Sequence, residues 1–221
     1  MSVSLFTGSL TKIVRATKFI DELENLLNDY NNNEPFSAKL DYANNPFKVV
    51  IEWKGLGHEA MAVLGDVVHN LRVALDLLAS ELARINGKND WNVYFPFAAT
   101  GTEFPNAIKK RNFDNAGLDA VALLHTFAPY RGGNELLRAV HDLDIKDKHT
   151  ALIETHMTND FEFDATIDTV NPMESKLHSF KTGPIHHHFA KDSPLPERSV
   201  IETLRETQKE VSRVVEAFQN S

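Results

Sequence analysis

The sequence predicts an α+β fold in which an antiparallel sheet packs on a long central helix, with an amphipathic helix toward each end of the chain. Three observations carry this. Apolar residues recur at spacings of three and four over Ser9–Tyr30, over His58–Ile85 and onward from Pro196. Two other regions alternate apolar and polar residues, the mark of half-buried strands. The helical and strand tracts are also segregated, whereas a wound parallel sheet would alternate them.

The first helix is set by Ile13, Ala16, Ile20, Leu23, Leu27 and Tyr30, one apolar stripe that ends in the breaker Asn31-Asn32-Asn33-Glu34-Pro35. In the next tract Phe36, Ala38, Leu40 and Tyr42 alternate with Ser37, Lys39 and Asp41. In the one after it, Phe47, Val49, Ile51 and Trp53 alternate with Lys48, Val50 and Glu52. Ala43-Asn44-Asn45-Pro46 is turn chemistry between them, so the pair reads as a hairpin with one wet face. Gly55-Leu56-Gly57 opens the longest helix, His58 to Ile85, and Asn86-Gly87 stops it. Trp91–Phe97 is either a short strand or a core-covering loop, and Thr100–Asn115 is irregular with room for a short helix near Ala107.

Leu118–Phe127 reads as a helix ended by Pro129. Asn134 is a good N-cap for a helix running to Asp144. Ala151–Met157 and Phe161–Val170 read as strands joined by the turn Thr158-Asn159-Asp160, expected to share one sheet with the first hairpin. Ile185–Phe189 is a further strand candidate. Val200, Leu204, Thr207, Val211, Val214 and Phe218 form the closing stripe. The two terminal stripes are expected to pair, within the chain or across a homodimer, because each needs apolar cover.

Composition narrows the function. Of 221 residues, 42% are hydrophobic and 24% charged, an ordinary globular balance expected to fill one domain, 1–221. Lys+Arg total 23 against 31 Asp+Glu, a net charge of −8, which argues against holding bulk DNA or an anionic membrane by charge. The absence of cysteine removes disulfides, thiolate metal sites and cysteine nucleophiles. No apolar run reaches the roughly 18 residues of a membrane span. Met1 to Leu5 lacks the basic-then-apolar pattern of a signal peptide, so a cytoplasmic protein is expected.

Two polar clusters are candidates for a site. On the long helix Val67, Val68, Leu71, Ala74, Leu75, Leu78 and Leu82 form the core face. His58, Glu59, Asp66, His69, Asn70 and Asp76 gather on another side, among Ala62, Val73 and Leu77. Arg72 and Asp76 are four apart and can pair. This side is either a half-exposed face whose charges satisfy one another or part of a cleft. The second cluster, His141-Asp142-Leu143-Asp144-Ile145-Lys146-Asp147-Lys148-His149, is expected where a helix gives way to a strand, a place where loops hold functional groups. Lys148 and His149 offer cationic and proton-transfer chemistry and Asp147 can orient them. The bland reading is a solvated helix end, with lysines suiting the negative end of the dipole.

Gly65-Asp66-Val67-Val68-His69-Asn70-Leu71-Arg72-Val73-Ala74-Leu75-Asp76, Phe95-Pro96-Phe97, Ala128-Pro129-Tyr130, Leu143 and Asp147-Lys148-His149 together resemble a pattern of uncharacterised bacterial and phage proteins. That family pairs an H-N-L-R-x-A-L-D helix with a downstream D-K-H, and the likeness covers about Gly65 to Leu152. It implies candidate positions rather than a reaction. The helix is also distantly similar to HEPN ribonuclease folds, but no Arg here has a His four to six residues on, so their catalytic motif is missing.

Weaker signals stand beside these. His141-Asp142 resembles the paired ligands of HD phosphohydrolases, with His58, His69 or Asp144 as further ligands. His186 and His188 share a strand face and could take a divalent metal, against a solvated loop or partner contact. Arg131-Gly132-Gly133-Asn134 is an anion site or a plain turn and cap. The metal and any cofactor are left open.

Two functions follow as expectations. In one, the chain hydrolyses a small anionic nucleotide or an RNA phosphodiester. His69 and His149 are acid and base, Arg72 and Lys148 stabilise negative charge, and Asp76 and Asp147 orient them. In the other, it is a non-enzymatic binding or assembly protein whose polar groups form a structural network. Both expect His69, Arg72 and Asp76 to meet Asp147, Lys148 and His149.

Overall fold

The computed structural model describes residues 6–42, 48–149 and 152–220; the side chain of His149 lies outside them, as do the linker Ala43–Pro46, Phe47 and Ala151. Among these residues α1 spans Thr7–Asn32, β1 Phe36–Asp41, β2 Lys48–Trp53, α2 His58–Ile85, α3 Phe104–Lys110 and α4 Leu118–Phe127. α5 spans Glu135–His149, β3 Thr155–Thr158, β4 Phe161–Thr166, β5 Lys176–Thr182, β6 His186–Phe189 and α6 Val200–Gln219. The α+β class holds: a helical body carries small antiparallel sheets.

α2 is the centre of that body. Its predicted core face, Val67 through Leu82, is buried throughout. The helix stops as a Schellman motif. Gly87 takes φ +67°, Gly87 N–H donates to Arg84 O at 3.0 Å, and Lys88 N–H donates to Ala83 O at 2.9 Å. Lys12 reaches Asn70 while Gly8 lies against Leu77 and Glu81, so α1 runs antiparallel along α2. α6 covers both: Ile13, Ile20 and Leu27 of α1 and Leu204, Val211 and Phe218 of α6 are all buried, so the terminal stripes pair within the chain. The helices α1, α5 and α6, and a 3-10 turn at Phe113–Ala116, supply most of the cover for α2. Trp91–Phe97 is the core-covering loop, with Val93 and Phe95 sealed beneath it.

Among the described residues the expected single sheet is instead three two-stranded ones, β1–β2, β3–β6 and β4–β5. β1–β2 is the predicted hairpin, with Phe36 opposite Trp53 and Ala38 opposite Ile51. Thr158-Asn159-Asp160 does not turn the chain back. β3 and β4 are successive stretches of one arm, and β5 and β6 are its return. Thr158 faces His186 and Phe161 faces Thr182. Two residues on the outgoing side therefore oppose three on the return, Gly183-Pro184-Ile185, which is a bulge. Pro184 has no N–H for the ladder, and Gly183 N–H donates to Asp160 O at 2.7 Å to carry the ribbon across. The ribbon leans on β1 through an edge-to-face contact of Phe36 and Phe161, 5.2 Å between centroids, and through Tyr42 OH donating to Ser175 O at 2.7 Å. These are side-chain contacts, so the ladders stay separate.

A second correction concerns Asp147-Lys148-His149. The helix expected to end at Asp144 continues to His149, so the three residues are its last turn and not a loop. The charge of that turn is paired along the helix, because Lys148 Nζ donates to Asp144 Oδ2 at 2.8 Å.

Candidate functional site: the polar seam between α2 and α5

α2 and α5 cross antiparallel, and their polar residues match rung by rung. Gly65 lies against Asp147: a Cβ on Gly65 would come within 2.5 Å of the Asp147 carboxylate, so any larger residue here would push that side chain aside. One turn on, His69 Nδ1 is 3.1 Å from Asp144 Oδ1. Further along, Arg72 and His141 both pack on Phe97. The guanidinium carbon is 4.6 Å from the ring centroid, and the imidazole stacks at 4.9 Å with 4° between planes. Positions 65, 69 and 72 climb α2 as 147, 144 and 141 descend α5, the i,i+3/i+4 rows two packed helices present to each other. Beneath them Val68, Leu71, Val140, Leu143, Leu204 and Thr207 surround a void of about 10 Å³, room for one water at most.

The predicted residues fall into two groups. His69, Asp147 and Lys148 do meet, around Asp144, whose side chain is only 7% exposed while those of His69 and Lys148 are 41% exposed. Arg72 and Asp76 sit at the other end, turned inward. Arg72 Nη1 donates to Asp76 Oδ1 at 2.5 Å, and the same oxygen accepts Phe95 N–H at 3.0 Å. They clasp the aromatic loop to α2 and share no hydrogen bond with Asp147 or Lys148. The backbone of His149 closes α5, and its side chain is outside the described residues.

The seam is rich in carboxylates. Burial, with Asp144 and Asp66 nearby, raises the Asp147 pKa above the usual carboxylate value, against the lowering effect of His69 and Lys148. Burial also raises Asp76, outweighing its ion pair with Arg72 and its bond from Phe95 N–H. His141 is pushed down to about 4 by burial first and by Arg72 and Arg138 next, and its Nδ1 is buried without a hydrogen bond.

Sequence reasoning placed Asp144 and His141 in the second cluster and among HD-type ligands, but gave neither a place in the expected set of His69, Arg72, Asp76, Asp147, Lys148 and His149. The signal was present: 141, 144 and 148 share one face of a helix that runs on to His149. The HD-type pair separates, because His141 stacks on Phe97 while Asp142 holds Arg138 at 2.5 Å and Arg131 at 3.2 Å. Among the described residues no three His, Asp or Glu side chains are placed to hold a metal ion. His186 and His188 do share a face, joined by His156, which stacks on His188 at 5.4 Å; His188 is engaged by Thr158 and by Glu197 O. At Arg131–Asn134 the cap reading accounts for the contacts. Asn134 Oδ1 accepts Leu137 N–H at 3.1 Å, and Gly132 N–H donates to Glu135 Oε1 at 2.7 Å.

The larger cavities lie away from the seam. One of about 470 Å³ is lined by Arg131, Arg138, Asp142 and Asp192, and one of about 330 Å³ by Glu24, Asn31, His187 and Glu202. Among the described residues no helix is long and apolar enough to cross a membrane.

Fold and seam thus define an α+β protein built on a central helix, α2, with a polar interface between α2 and α5. In comparisons with known proteins, no family model, no curated protein and no solved structure matches the chain.

Proposed function

We propose that the chain is a non-enzymatic binding or assembly protein, and that the α2–α5 seam is a structural network rather than a catalytic centre. One observation carries this: the two cations expected to stabilise a reacting phosphate are already committed, Arg72 to Asp76 and Lys148 to Asp144. With Asp66 and Asp147 alongside, an incoming phosphate meets more carboxylate than cation. Asp144 then serves to satisfy His69 and Lys148, and Asp76 to tie the Phe95 backbone to α2.

A second reading, hydrolysis of a nucleotide or RNA phosphodiester, is favoured by His69. Its imidazole is part-exposed and oriented through Nδ1 by a buried carboxylate, the arrangement of a general base. Two measurements on wild type and His69→Ala, Asp144→Ala and Lys148→Ala variants separate the readings. These are turnover of bis(4-nitrophenyl) phosphate and of an RNA oligonucleotide, and the melting temperature. The network reading expects no turnover in any protein and a fall of several degrees for Asp144→Ala, whose loss unpairs two groups. Turnover in wild type that disappears in His69→Ala at unchanged melting temperature overturns it in favour of the hydrolase.

A further inference from the structure

Where the outgoing arm of the ribbon passes the first hairpin, two strand faces meet imperfectly. Met157, Asn159 and Phe161 are alternate residues of one arm and so project to one side. Phe36 and Trp53 are cross-strand partners on β1 and β2, and Ile51, two residues before Trp53, shares their face. These six residues line a cavity of about 380 Å³, within the range of small-molecule sites. None of them is fully buried, and Trp53 is 65% exposed.

The chemistry of the lining is narrow. Three aromatic rings, a thioether and an aliphatic side chain favour a flat ring, held by stacked or edge contacts and by sulfur. The lining has no Asp, Glu, Lys or Arg, so a charged ligand would lose its hydration without a partner. The one polar side chain, Asn159, keeps its Nδ2 buried with no hydrogen bond, a donor whose isolation costs free energy. The terminal amide torsion of Asn is broad, so this unbonded donor is free to turn toward a ligand in the cavity that Asn159 lines. We infer that this cavity is a binding site for a small, neutral, flat apolar molecule carrying one hydrogen-bond acceptor, which Asn159 engages. The site shares no residue with the α2–α5 seam and stands whichever way the seam is read.

Acetophenone and ethylbenzene test this, since they share a ring and differ in the carbonyl. Each is titrated into the ¹⁵N-labelled full chain, following the Trp53 indole N–H and the Asn159 side-chain amide. The expected result is a saturable shift of both signals, with acetophenone bound about ten-fold more tightly, the worth of one hydrogen bond. Asn159→Leu should erase that preference while ethylbenzene still binds, and Ile51→Trp, which fills the cavity, should abolish both. The absence of a saturable shift with either compound overturns the site. Equal binding of the two by wild type overturns the role of Asn159, and the wild-type comparison decides this even if Asn159→Leu fails to fold.

Discussion

Arg72 shows how one side chain can be polar and still belong to the core. Its side chain is 7% exposed, its charge is answered by Asp76, and its guanidinium carbon lies over the Phe97 ring. Removing one partner of such a pair leaves the other charge stranded, which costs more than the intact pair contributes. Arg72→Ala is therefore expected to lower unfolding free energy by about 3 kcal/mol, read by urea denaturation. Arg72→Met combined with Asp76→Asn, which keeps an acceptor for Phe95 N–H, should recover much of that loss. A loss well under 1 kcal/mol for the single change would mean that the clasp of the aromatic loop is dispensable. His141 makes the opposite kind of statement. Its pKa is about 4 in the folded chain against an ordinary 6.5, so between those values the unfolded chain binds the proton and the folded chain does not. The stability it contributes is full above pH 6.5 and is lost as pH falls toward 4. His141→Phe keeps a ring on Phe97, and its melting temperature should fall less than that of wild type from pH 7 to pH 4. Parallel curves would place the acid sensitivity elsewhere, with His187, also near 4, the next candidate.

Between elements, burial decides and surface charge decorates. α6 packs on α1, α2 and α5 with Leu204, Val211 and Phe218 buried, Phe218 against Phe113 and Phe127, and Arg205 bridges Asp21 and Glu24 along the rim of its contact with α1. The rim charges are well exposed, so their attraction is screened and offset by side-chain entropy; Arg205→Ala should change stability by less than about 1 kcal/mol. Val211 is fully buried, and Val211→Glu places a charge where nothing can solvate it. That variant should unfold, or melt far below wild type by circular dichroism, while Arg205→Ala melts within a few degrees of it. Similar melting of the two variants would mean that α6 is not part of the core. The same logic explains why Asp147-Lys148-His149 is helix. Each further turn of α5 gains a rung against α2 and an internal ion pair, whereas a loop would expose the same groups without partners.

At the scale of the whole molecule, a tightly packed helical body carries ribbons held by few contacts. Two-stranded ribbons are marginal in isolation, and Phe163, Ile167, Val170 and Met173 on the long ribbon stay exposed. Amide hydrogen exchange should report this directly: β4 and β5 exchanging orders of magnitude faster than the middle of α2 and α6. Equal protection would mean that the ribbons unfold only with the body. The boundary between these parts is also the boundary of what could be read from the chain. α2 and α4 run between the residues expected from periodicity and breakers, because helical hydrogen bonds close within four residues and Asn86-Gly87 is a local stop. The wet-faced hairpin was legible for the same reason, its two strands being close in sequence. The ribbon was not, because Thr155 pairs with Phe189 and Phe161 with Thr182, and nothing local says that Asn159-Asp160 takes a bulge instead of a turn. The candidate site divides in the same way. The Arg72–Asp76 spacing was visible on one helix, and so was the polarity of both clusters. That Asp144 rather than Asp147 receives His69, that His141 stacks on Phe97, and that Gly65 makes room for Asp147 depended on how two helices seventy-odd residues apart cross. Local chemistry specifies which groups a helix displays; only packing selects the partners that satisfy them.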